Sequence, residues 1–215
     1  MLIFNCNLCE NYLFLKIAAN VSQSKMVMKA NQISNYIISL AQNNPEENLT
    51  NMKLQKILYY LQGFHLALFN EVLFEEEIEA WKYGPVVSKE YYTFKVYGNN
   101  SIIVPETNHS FDYLSGKQKK FINKVYGYFR QFSPVKMMEL THEESPWLDT
   151  YGKSQVIDNE LLKDYFSSPD RLYQFLPKDK KTERKEAARF LLIDYLYDTE
   201  LTDSSIVDVE DIYEY

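Results

Sequence analysis

The chain is short of the residues that most often carry chemistry. Only two of its 215 residues are cysteine, so no disulfide framework is available, and Cys6-Asn7-Leu8-Cys9 supplies at most half of a four-ligand zinc site. The three histidines are His65, His109 and His142. His142-Glu143-Glu144 lacks the second histidine at helical spacing that a zinc-binding His-Glu-x-x-His motif requires, so a metalloprotease has no anchor. There is no Gly-rich phosphate cradle and no Gly-x-Ser-x-Gly, which removes the sequence support for nucleotide binding and acyl transfer. No apolar run approaches the roughly 18 residues of a membrane span. The first 19 residues lack a basic start and are broken by Asn5, Asn7, Glu10 and Asn11, unlike a secretory signal. A reducing cytoplasm is the expected compartment. Catalytic, cofactor and metal residues are all expected to be absent.

What is present is acid and aromatic. A net charge of −7 argues against nucleic-acid or anionic-membrane partners unless basic residues are segregated into a patch. With 46% hydrophobic residues the chain can bury one main core. Aromatics make up 15%, among them 18 tyrosines, which suit half-buried core positions and contact surfaces alike. The expected partner is a protein.

Residues 1–28 read as a leader or an over-extended gene start, loosely attached. From Lys29, Ile33, Tyr36, Ile37 and Leu40 recur at helical spacing until Asn43-Asn44-Pro45 stops the helix. Thr50 or Asn51 caps the strongest helix, Met52 to about Phe69, closed by Asn70 in a left-handed conformation. Its Lys53 and Lys56 fall off the apolar stripe and are expected on a solvated face. Residues 77–82 alternate as a strand into Gly84-Pro85, where glycine's access to positive φ and proline's fixed φ force a turn before a helix, Lys89 to Tyr97, that Ser88 caps and Gly98 ends. Ile102-Ile103-Val104 is expected to be the strand partner of 77–82. Ser115 and Ser133-Pro134 open two further helices, with Phe121, Ile122, Val125 and Phe129 on one face of the first. Asp158 caps a helix to Phe166, another runs from Ser168-Pro169 to Leu176, and the last spans about Thr182 to Tyr197. Residues 199–215 hold six acidic residues and no basic one, and are expected to be disordered. The expected fold is mainly α (α+β), with a two- or three-stranded β element beside the Trp81–Pro85 junction. Residues 29–166 would be the core, 167–198 a helical extension and 199–215 an acidic tail.

Three separated blocks carry a resemblance. Leu49-Thr50-Asn51-Met52-Lys53-Leu54-Gln55-Lys56-Ile57-Leu58-Tyr59-Tyr60-Leu61-Gln62-Gly63, then Ala80-Trp81-Lys82-Tyr83-Gly84-Pro85-Val86, then Thr141-His142 with Pro146-Trp147 are similar, in order, to the signatures of the Panacea domain, the SocA-like antitoxin and phage-associated GepA-like family. The resemblance covers about Lys29 to Tyr151, with Phe64 where a tryptophan is frequent. It implies a mainly helical domain that neutralises a toxin encoded by a neighbouring gene through direct protein contact. It also implies an alternative, an adaptor that hands a protein partner to a protease. Candidate contact residues are Lys53, Lys56, Tyr59, Tyr60, Trp81 and Tyr83. Gly84, Pro85, His142, Pro146 and Trp147 are candidates for a structural role, and for Trp81 and Trp147 closing the core is the favoured reading. A hydrolase or metal enzyme built on His65 and His142 is the weakest alternative.

Overall fold

The computed structural model describes residues 27–44, 47–105, 110–168 and Arg171. In chain order these form helices α1 (Ala30–Gln42) and α2 (Asn51–Phe69), strands β1 (Glu79–Trp81) and β2 (Gly84–Val86), and helix α3 (Ser88–Phe94) with a 3₁₀ turn over Lys95–Tyr97. Helices α4 (Gly116–Phe129), α5 (Pro134–His142), α6 (Ser145–Leu148) and α7 (Asn159–Phe166) follow. The fold is mainly α with a small β element, as expected. Residues 1–26, His109 and the expected helices and tail beyond Arg171 lie outside the described residues. Met28, the last residue of the expected leader, is buried in the core and bridges Phe74.

Helix α2 begins where Thr50 accepts the amide of Lys53 and ends at Asn70, whose φ of 55° and ψ of 28° place it in the left-handed region. Every residue from Lys53 to Leu66 is buried, so α2 is the central helix, with α1, α3, α4, α5, α7 and β2 packed around it. Its polar side chains face inward, and each ties a neighbouring segment to the axis, as buried polar groups must. Gln55 accepts the amide of Val87 at 3.0 Å, and Gln62 accepts those of Leu73 and Phe74 at 2.9 and 3.2 Å. His65 meets the carbonyl of Glu71 at 2.7 Å. Lys53 pairs at 2.7 Å with the buried carboxylate of Glu47, which also takes Arg130 at 3.2 Å. The expected solvated face of Lys53 and Lys56 is thereby corrected. These two lysines are stem-deep in the core because partners at fixed backbone positions receive their ammonium groups.

The β element also departs from expectation. Residues 102–104 do not pair with 77–82. Instead β1 and β2 form an antiparallel hairpin with Glu79 opposite Val86, Ala80 opposite Pro85 and Trp81 opposite Gly84, joined by Lys82-Tyr83. Gly84 and Pro85 thus lie in the second strand. Gly84, at φ 96°, enters it through a conformation that side chains oppose. The outer edge of β1 is covered by residues 155–157, with Ala80 donating to the carbonyl of Gln155 and Ile157 to that of Ile78, both at 2.8 Å. Ile102 instead donates to Leu49 beside the start of α2, and Ile103 is 67% exposed. Its β-prone composition reflects context more than an intrinsic strand preference.

Helices α4, α5 and α7 open at Ser115, Ser133 and Asp158 as read from the sequence. Phe121, Ile122, Val125 and Phe129 are all buried. Helix α3 begins at Ser88 with Val87 as its cap, and its last turn tightens to 3₁₀ before Gly98. Helix α7 lies close against α2 at Gly63, where a Cβ would sit 2.2 Å from the ring of Phe166.

Candidate functional site

The hairpin stands on a buried polar cluster contributed by α2, α5 and α6. Ala80 sends its amide away from β2 to Gln155, so Ala80 and Pro85 form a non-hydrogen-bonded pair. Proline's missing N–H therefore costs this ladder nothing, and the carbonyl of Pro85 also points outward from the pair. Lys56 meets that carbonyl, donating from Nζ at 2.9 Å. The Lys56 side chain is almost completely buried without a carboxylate partner among the described residues, and burial pulls its pKa down to about 7. Thr141 closes the same space: a Cβ on Gly84 would lie 2.7 Å from both Lys56 Nζ and Thr141 Oγ1. Gly84 is thus required twice, by its φ and by this close approach.

One turn further along α2, Tyr59 and Tyr60 donate their hydroxyls to the two carboxylate oxygens of Glu144, at 2.8 and 3.1 Å. Arg171 approaches the same carboxylate at 3.5 Å. Burial pushes the Glu144 pKa up to about 7, against the pull of the Tyr59 bond, Arg171 and the Tyr60 bond. Burial and then the charge of Glu144 push both phenols well up, so they remain donors.

Next to this pair is a ring stack. His142 lies parallel to Trp147, centroids 4.1 Å apart, and Trp147 parallel to Tyr151 at 4.7 Å. Burial, then the charge of Lys56, lowers the pKa of His142, which favours a neutral imidazole in the stack. Pro146 is buried in α6, and Trp147 donates its indole N–H to the carbonyl of Trp81 at 2.8 Å. Trp81 in turn donates to Glu79 at 2.7 Å. Its ring meets Tyr91 and Tyr92 edge-on at 5.0 and 6.0 Å.

Above these contacts the surface is aromatic and cationic. Tyr83 is 56% exposed and Tyr92 57%. Lys82 lies 5.5 Å over the ring of Tyr83 and Lys95 5.1 Å over that of Tyr92. Of the six candidate contact residues, Lys53, Lys56, Tyr59 and Tyr60 are buried, Trp81 is half-buried and Tyr83 reaches solvent. Gly84, Pro85, His142 and Trp147 converge on the hairpin. His65 lies elsewhere on α2, beside Phe69 and Phe121, and does not join His142. No group of three or more His, Cys, Asp and Glu residues suited to a metal ion occurs among the described residues. Glu144 and Arg171 are the members that sequence reasoning missed, while Thr141 is quoted in the third block without a role of its own. Glu144 stands between the two quoted halves of the third block, but an acidic residue before Ser-Pro-Trp reads as a polar turn until the tyrosines of α2 are placed against it.

The three blocks separated in sequence are one contact set in space, and their span coincides with a known family. Residues 54–148 match the family model described as antitoxin SocA-like, Panacea domain. No curated protein and no solved structure matches the chain. The Panacea domain match contains Lys56, the tyrosine pair, the hairpin, Glu144 and Trp147. Tyr151, Arg171 and α7, which complete the ring stack and the carboxylate cage, lie beyond it. No described helix is long and apolar enough to cross a membrane.

Proposed function

We propose that this chain is an antitoxin-type binding module that neutralises a cognate protein toxin by direct contact, and that the contact centres on Trp81, Tyr83 and Tyr92. The observation that carries the reading is the exposure of Tyr83 and Tyr92 on a hairpin and helix tied to the buried core through Trp81, Trp147 and Lys56. Aromatic rings already held in place lose little conformational freedom on binding, which is what gives such residues their weight at interfaces. The buried members of the signature, Lys56, Tyr59, Tyr60 and Glu144, act on the partner only by holding this surface.

Co-expression with the product of the neighbouring gene tests the reading. The product alone should arrest growth, and this chain should restore it. A product that is harmless alone, or that stays toxic in the presence of this chain, overturns the proposal.

A further inference from the structure

The acidic character of this protein is concentrated in one place and opposed in another. Residues 199–215 hold six acidic and no basic residues. Removing those six from the chain's 30 acidic residues leaves 24 against 23 basic ones, a net of −1 before residue 199. Conversely, from Tyr113 to Met138 there are six basic residues and no acidic one. Helix α4 lies within that span. Its buried face carries Phe121, Ile122, Val125, Tyr126 and Phe129. Lys117, Lys120 and Lys124 recur at i, i+3 and i+7 along the opposite face, with Lys119 on its flank. Lys120 and Lys124 are exposed. Half-buried Tyr128 and Phe132 and exposed Val135 continue this surface toward α5.

We infer that the basic outer face of α4 is the docking surface for this chain's own residues 199–215. The charges are complementary, and the tail alternates its carboxylates with Ile206, Val207, Val209, Ile212 and Tyr213, which suit the apolar continuation of the surface. The connection is long enough. Phe129 at the end of α4 and Phe166 at the end of α7 both pack on Tyr60, at 3.8 and 6.0 Å between centroids, so the C-terminal ends of the two helices meet in the core. The 28 residues from Arg171 to Thr199 span roughly 40 Å even if helical. Tethering puts the tail at an effective concentration that a free polyanion must compete against.

Zero-length carbodiimide coupling of the full chain at low protein concentration, read by mass spectrometry, tests this. Cross-links within one molecule are expected from Lys119 or Lys124 to Asp208, Glu210 or Asp211. Their yield should fall at least about fivefold at ~0.5 M salt, where screening shortens to a few ångströms. Cross-links found only between molecules overturn the inference. Immobilised heparin, as a polyanion probe, supplies an independent readout. The full-length variant D208N/E210Q/D211N/E214Q should elute at higher salt than the native chain, and adding Lys120→Glu and Lys124→Glu should reverse the shift. Unchanged elution overturns the proposal. So does duplex DNA binding to the native chain as tightly as to the tail variant, which would assign the face to nucleic acid.

Discussion

Lys56 Nζ donates to the carbonyl of Pro85 across 2.9 Å and touches the space that a side chain on Gly84 would fill, so a lysine at the centre of the core holds the strand that opens at the surface. The Gly-Pro pair and the lysine on α2 are two halves of one contact.

Gly84→Val should unfold the domain. The variant combines a φ of 96°, worth about 1–2 kcal/mol against any branched residue, with a collision against Lys56 and Thr141. Circular dichroism on heating checks it: the expected result is loss of the cooperative transition or a drop of many degrees. A folded variant that no longer neutralises would instead make the junction itself a contact site.

Gly63→Ala should act through α7 alone. The added methyl meets the ring of Phe166 at 2.2 Å, and overpacking of this kind costs about 1–3 kcal/mol. Hydrogen exchange should show α7 losing protection more than the hairpin does.

The two titrating groups beneath the hairpin give stability a pH signature. Glu144 is raised from 4.5 to about 7, so its contribution is fully present below pH 4.5 and is lost as pH rises through 7. Lys56 is lowered from 10.5 to about 7, so its contribution is present above pH 10.5 and is lost as pH falls through 7. Together they place a minimum near neutrality in their joint contribution. Denaturant titrations across pH should find Lys56→Met lacking the rise above pH 7, and Glu144→Gln lacking the fall between 4.5 and 7.

Much of the fold was legible because local rules decide it. Thr50, Ser115, Ser133 and Asp158 cap helices through their own side chains, and Asn70 ends α2 in the left-handed region. The strand pairing was not legible, since Ile102 is claimed by the backbone of Leu49, a contact no local pattern encodes. The candidate site was half legible. Its members could be quoted block by block, but Lys53, Lys56, Tyr59 and Tyr60 read as surface because a polar residue off an apolar stripe ordinarily is. Only partners outside the helix, Glu47 just before it and Arg130, Pro85 and Glu144 from distant segments, accommodate them inside.

Calorimetric titration of the cognate toxin into the native chain and into Tyr83→Ala/Tyr92→Ala tests the central claim most directly. Both substitutions are at exposed rings, so the melting temperature should be unchanged. The account expects an affinity loss of roughly 30-fold or more, about 2 kcal/mol. A variant that melts like the native chain and binds the toxin equally well would contradict it.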